Sequence, residues 1–216
     1  MNVLTVVTHP RTNSLTFAVA GRFVQGLQKA GHRTEVLDLH RSGFDPVLRE
    51  ADEPDWSNDG KVYSPEVEKE IERMKKYDAL AYIFPVWWYG MPAMLKGYID
   101  RVWNNGFAYG RSKLHHQQVL WLGLAGASRE HFEKRNYDGM MALQLNVGMA
   151  GYAGIANSKL QIFYDTLDTA GGIQEKLLTQ AYELGLHYAG LEGDGTGERK
   201  FAPVNRELEQ AKGPAL

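Results

Sequence analysis

An α/β fold, with a doubly wound five-stranded parallel sheet between two helical layers, is what the sequence predicts. Three observations carry it. Five short apolar runs rich in β-branched and aromatic residues recur along the 216 residues. A segment of helical period follows each run, and Gly, Pro and Ser mark the joints.

Val3–Val7 is the first run, nearly continuous in apolar character, as a strand covered on both faces should be. Ser14–Ala30 follows as a helix, with Leu15, Val19, Phe23 and Leu27 four apart and Gly31 as its stop. Thr34–Leu39 is the second strand, and Ser64-Pro65 opens a helix with Val67, Ile71 and Met74 on one face, ending near Tyr77. Ala79–Phe84 is the third strand, succeeded by a helix over Pro92–Trp103. Val119–Leu122 is the fourth, with a helix around Asp138–Tyr152; Leu160–Tyr164 is the fifth, with a helix over Gly172–Tyr188. Strand–helix alternation of this kind implies right-handed crossovers and helices on both faces.

One domain over 1–190 is expected, with 191–216 as a Gly- and charge-rich C-terminal arm that is mobile. The connections Arg41–Tyr63 and Asn104–Gln118 exceed ordinary loop length and suggest functional or dimer-forming insertions. The chain has no cysteine, which excludes disulfides, zinc–thiolate sites and thiol nucleophiles. Lys plus Arg number 24 against 26 Asp plus Glu, so no strong field favours nucleic acid or an anionic membrane. No apolar run approaches the roughly 20 residues of a membrane span, and the N-terminus lacks a signal-peptide pattern. A soluble, cytoplasmic chain is the expectation.

Ligands of such sheets sit beyond the carboxyl ends of the strands, where strand order switches. Three loops lie there. Thr8–Ser14 has neither a dinucleotide-binding glycine pattern nor a P-loop. It offers His9, Arg11 and hydroxyls before a helix N-terminus, whose free N–H groups attract a phosphate; plain capping by Asn13 or Ser14 is the alternative. Pro85–Gly90 carries three adjacent aromatics, Trp87, Trp88 and Tyr89, suited to a planar conjugated ring, a subunit interface, or both. Gly123–Ser128 is built of small residues that let backbone amides approach a ligand and offset anionic charge, or that merely turn the chain.

The stretch Phe84-Pro85-Val86-Trp87-Trp88-Tyr89-Gly90-Met91-Pro92, continuing through Ala93–Val102 to Gly106-Phe107-Ala108-Tyr109, resembles the signature of the flavodoxin-fold NAD(P)H:quinone oxidoreductases, the DT-diaphorase-like enzymes. The other loops fall in matching order, and the likeness covers about residues 2–190. It implies a flavodoxin-like three-layer sheet, a bound flavin, and a homodimer with the active site at its interface. By position, His9, Ser14, Leu15 and Thr16 would hold the flavin phosphates and ribityl chain. Pro85, Val86, Trp87, Trp88 and Tyr89 would flank the isoalloxazine, and Ala125 with Gly126 would face its N1/O2 edge. Phe107 and Tyr109 would help form the substrate pocket from the partner chain. Where the family often has a Tyr and, six residues on, a His, this chain has His131 and Tyr137, which would be the catalytic donor pair stabilising the reduced flavin.

The chemistry so implied is hydride transfer from NAD(P)H to flavin N5 and then to a quinone or similar acceptor, two electrons together, in ping-pong order. The long Arg41–Tyr63 insertion resembles the larger members and favours FAD, with FMN as the alternative. Rival readings are a flavodoxin-type electron carrier and a regulatory subunit of a potassium-efflux transporter. A phospho-receiver is set aside, because His9-Pro10-Arg11 lacks the acids that would hold Mg²⁺. No metal site is expected: His115-His116 has no acid or thiol beside it. Lys96 and Arg101 are read as surface or dimer charges, and Gly193–Gly197 as a flexible turn.

Overall fold

Five strands pair in the order β2-β1-β3-β4-β5, every pair parallel. They are β1 (Asn2–Val7), β2 (Arg33–Asp38), β3 (Ala79–Pro85), β4 (Gln118–Leu124) and β5 (Asn157–Phe163). The computed structural model describes residues 1–58, 60–169 and 172–195. Helices α1 (Leu15–Lys29), α2 (Pro65–Met74), α3 (Ala93–Val102), α4 (Arg129–Glu133), α5 (Tyr137–Ala142) and α6 (Ile173–Leu186) complete the order. Among the described residues no helix is long and apolar enough to cross a membrane.

Alternation along the strands builds two cores. In β3, Ala79, Ala81 and Ile83 pack with Val19, Phe23 and Leu27 of α1 and Leu177 and Ala181 of α6. Leu80, Tyr82 and Phe84 face the other way, onto Val67 and Ile71 of α2 and Leu95, Tyr98 and Val102 of α3. Helices α1 and α6 touch at glycine. A Cβ on Gly26 would stand 2.1 Å from the Tyr182 carbonyl oxygen, and one on Gly185 would stand 2.0 Å from that of Phe23. That approach seats α1 firmly, with its N-terminus at the carboxyl end of β1.

The expected helix over Asp138–Tyr152 is corrected in two ways. Regular α geometry runs only from Tyr137 to Ala142, and Leu143–Gly151 widens to a π-helix. Apolar content does not distinguish the two windings, so the residue pattern misses the change. The short α4, capped by the Ser128 hydroxyl, has only five residues, too few to show a helical period in the sequence.

The long connection after β2 is anchored by a buried charge. Arg101 is almost wholly buried, not a surface charge: its Nη2 donates to Asp52 Oδ2 at 2.8 Å and its Nη1 to Glu66 Oε2 at 2.6 Å. Asp52 also accepts from the Ser64 N–H at 2.7 Å and the Ser64 hydroxyl at 2.9 Å. Burial pushes the Asp52 carboxyl up, yet the hydrogen bonds from Ser64 and Arg101 outweigh it and hold the group below the usual carboxylate range. Lys96 does pair at the surface, with Asp100 one turn on.

The first residues of the expected arm are not free. Leu191 O accepts from Asn157 Nδ2, Asp194 N–H donates to Ser158 O, and Asp194 Oδ2 takes the Leu160 N–H at 2.9 Å. The rest of the arm lies outside the described residues.

Arg101→Ala strands Asp52 without its counter-charge and is expected to cost about 3–5 kcal/mol in urea unfolding. Lys96→Ala should change stability by no more than about 0.5 kcal/mol.

Candidate active site

Where β1 and β3 lie side by side, their following helices leave on opposite faces, and a cleft of about 1010 Å³ opens above the strand ends. Its floor and one wall come from the loop after β1. Ser14 is the N-cap of α1, its hydroxyl accepting from the Phe17 N–H at 3.4 Å. The N–H groups opening the helix have no intrahelical partner and face the anion-attracting end of the dipole. His9, Arg11, Ser14, Leu15 and Thr16 all line this wall. Arg41 clamps the loop, donating to the carbonyls of His9 and Pro10 and pairing with Asp38 at 3.0 Å. Burial and the nearby Arg11, His40 and Arg41 lower the His9 pKa, while a hydrogen bond to Arg11 backbone opposes them. His9 Nδ1 sits between the Arg11 N–H at 3.0 Å and the Arg11 carbonyl oxygen at 3.1 Å, which fixes the ring in the loop.

Opposite stands the loop after β3. Trp87 and Gly90 exchange both backbone hydrogen bonds at 3.1 Å, closing a two-residue turn with Trp88 at φ 52° and Tyr89 at φ 55°. Left-handed backbone at both positions is the turn that normally calls for Asn and Gly, and each bulky residue held there costs roughly 1–2 kcal/mol. Such strain is characteristic of sites where a side chain must be aimed. Pro85, Val86 and Trp87 line the cleft. Trp88, at the tip, is 97% exposed, and Tyr89 turns away toward α4.

The third wall departs from expectation in one respect. Ala125 is buried, and its N–H already donates to Phe163 O at 2.7 Å, so that amide is not available to a ligand. Gly126 does line the cleft, and a Cβ there would meet Leu167 at 2.8 Å. Sequence reading missed the fourth loop, after β5, which brings Thr166, Leu167 and Thr169 to the rim. Its position at a strand's carboxyl end was the available signal. Bonds from the Asp165 and Thr166 N–H groups to the Ala127 and Ala125 carbonyls lace it to the loop after β4.

His131 and Tyr137 are brought together beside the aromatic turn rather than in the cleft wall. The Tyr89 hydroxyl lies 3.1 Å from His131 Nε2, and the Tyr89 ring stacks on Tyr137 with centroids 3.7 Å apart. Phe107 and Tyr109 stand elsewhere. Phe107 borders a separate hollow of about 350 Å³ with Tyr63 and Lys75. Tyr109 packs against Trp56 and Tyr152, centroids 5.5 and 5.8 Å apart. Trp56 and Tyr152 are themselves exposed, and no spacing in the sequence joins three rings so far apart in the chain. His115 and His116 stack with centroids 4.5 Å apart and bond the carbonyls of Tyr77 and Met74.

Comparison with known proteins bears on this geometry. The family model for the flavodoxin-like fold matches residues 1–183. An uncharacterized NAD(P)H oxidoreductase of Escherichia coli K12, YcaK, is 41% identical over 163 residues, 75% of this chain and 83% of the relative. The chain belongs to the flavodoxin-fold NAD(P)H:quinone oxidoreductase family. An uncharacterized NAD(P)H oxidoreductase of Haemophilus influenzae is 31% identical over 172 residues, covering 76% and 84% of the two chains. Among solved structures, the NAD(P)H:quinone oxidoreductase of Methanothermobacter marburgensis superposes with a TM-score of 0.77 at 29% identity, covering 88% and 97%. The oxidoreductase thus has its cleft at the switch point of a flavodoxin-like sheet.

His116 supplies a pH test of the scaffold. Burial pushes its pKa from 6.5 down to about 4. An unfolded chain takes the proton near 6.5, so this contribution is complete above that pH and is lost as pH falls toward 4, by roughly 3 kcal/mol. His116→Gln should flatten the loss of stability between pH 7 and 4.5 in urea titrations; an unchanged slope would contradict the assignment.

Proposed function

We propose that this protein is a flavin-dependent NAD(P)H:quinone oxidoreductase acting as a homodimer on a small quinone-like acceptor in the cytoplasm. The observation that carries the reading is one continuous cleft joining the N-terminus of α1 to the aromatic turn after β3. The residues present fit a flavin. Helix N–H groups, Arg11 and the Ser14 and Thr16 hydroxyls suit its phosphate, and the wall of Pro85, Val86 and Trp87 suits a flat conjugated ring. Gly126 leaves room that a side chain would take. The cleft also runs on past the α1 N-terminus to Phe17, Gln174 and Leu178, beyond what a single phosphate needs, and this favours FAD over FMN.

When bound, a flavin would supply the two-electron hydride chemistry that links NAD(P)H to the acceptor. The chain's residues do the rest. Gly126 would offer the backbone amide left at the end of β4 to negative charge near the ring, and His131 with Tyr137, held at the aromatic turn outside the cleft wall, would serve as a donor pair. Trp88 exposes nearly its whole surface at the turn's tip, a costly arrangement in one protomer that a partner subunit relieves. The Trp56–Tyr109–Tyr152 cluster, with Trp56 and Tyr152 exposed, is the surface that would complete the neighbour's pocket in such a dimer, whereas Phe107 is buried beside a separate hollow.

Anaerobic mixing of the flavin-loaded protein with NADH or NADPH should bleach the flavin band, and a quinone should restore it without a new reductant. Bleaching that no quinone reverses, or no bleaching at all, would contradict the reading. Trp88→Ala should lower turnover by about 10-fold or more, equivalent to roughly 1.4 kcal/mol of transition-state stabilisation. Its unfolding free energy should move by less than about 0.5 kcal/mol. An equal turnover per bound flavin would exclude Trp88 from the site.

A further inference from the structure

The turn after β3 and the segment carrying His131 and Tyr137 meet through one residue. Tyr89 is held at φ 55° by the two Trp87–Gly90 hydrogen bonds, so its side chain leaves the turn in a fixed direction. The ring then lies in a slot: Tyr137 stacks on it with an interplanar angle of 22°, and Phe132 meets it edge-on with centroids 5.6 Å apart. Phe132 is in turn fully buried and rests on Tyr164, so the slot has a rigid back wall. From that slot the Tyr89 hydroxyl reaches His131 Nε2 at 3.1 Å, while the ring planes of Tyr89 and His131 are within 16° of parallel. The His131 backbone is pinned as well, its N–H donating to the Ser128 hydroxyl at the α4 cap. Two residues that the sequence separates by 42 positions are thereby locked in one geometry.

We propose that Tyr89 is the positioning residue of His131: its hydroxyl donates to Nε2 and so fixes the neutral imidazole as the Nδ1–H tautomer. A neutral imidazole has one N–H donor and one acceptor nitrogen, and whichever bond one nitrogen makes decides the other. Loss of solvation, then a hydrogen bond and charge interaction with the Tyr137 phenol, outweigh Arg135 and raise the Tyr89 pKa, so its hydroxyl stays protonated at neutral pH, while the donation to His131 rests on the 3.1 Å contact. With Nε2 occupied, the proton of His131 sits on Nδ1, and the ring has a single, defined donor to turn toward charge developing beside it. A phenylalanine at position 89 would fill the same slot and keep the stacking, but would leave the tautomer to solvent.

The inference rests on the proposed oxidoreductase reading only for its consequence, not for the bond itself, and the experiment separates the two. Long-range proton–nitrogen NMR of the cofactor-free protein, recorded well above the range in which histidine protonates, reads the tautomer of His131 directly. Wild type should show an unprotonated Nε2 and a protonated Nδ1, and Tyr89→Phe should lose that preference while its other resonances stay in place. A wild-type Nε2–H tautomer, or one unchanged in Tyr89→Phe, would overturn the inference whatever the protein's activity. In the flavin-loaded enzyme, Tyr89→Phe should lower kcat by roughly 3- to 10-fold, the worth of one hydrogen bond. A tautomer that changes while kcat does not would leave the bond standing and remove His131 from the reaction.

Discussion

In a parallel sheet of order β2-β1-β3-β4-β5, the chain must leave β1 and β3 toward opposite faces. No connection can then cover the gap between their carboxyl ends, and the first turn of α1 opens into it with unpaired N–H groups. Everything that gives the oxidoreductase a site follows from holding that helix end still. The glycine contact between α1 and α6 brings their backbones together, Ser14 caps the helix, and Arg41 ties the preceding loop to β2. An anion-attracting corner results before any specific chemistry is added.

Across the gap, the scaffold tolerates local strain for the sake of aim. Trp88 and Tyr89 both occupy left-handed backbone, at an intrinsic cost comparable to a substantial fraction of a small domain's net stability. The turn persists because its neighbours over-determine it. The Val86 N–H is bonded to Leu124 O, Trp87 and Gly90 close the turn, and the rings of Phe132 and Tyr137 grip Tyr89. One aromatic side chain is thus presented outward and the other inward from adjacent positions. A turn of Asn and Gly would be cheaper and would present neither.

Much of this was legible in the sequence, because the signals were local and periodic. The five strands, their order of appearance and the helices between them follow from apolar runs and helical spacing, and a cap at Asn13 or Ser14 reads from their place at the start of the first helix, with the fold choosing Ser14. Three loops follow from the rule that ligands sit at strand carboxyl ends, and the fourth, around Leu167, obeys the same rule. What the residues could not show was pairing at a distance. Arg101 looks like any charge on a helix until Asp52 and Glu66 are folded against it. Ala125 appears to have a free amide until β5 is laid beside β4 and Phe163 O takes it. Trp56 joins Tyr109 only through the fold of a long connection, and the π-helical winding after Ala142 leaves no trace in apolar content.

We propose that backbone amides at the end of α1 and the aromatic turn after β3 together hold a flavin. Titrating the flavin-free protein into FAD or FMN while following flavin fluorescence tests it most directly. Emission should change and saturate at one flavin per chain. Free-flavin emission that persists unaltered at every protein concentration would contradict it.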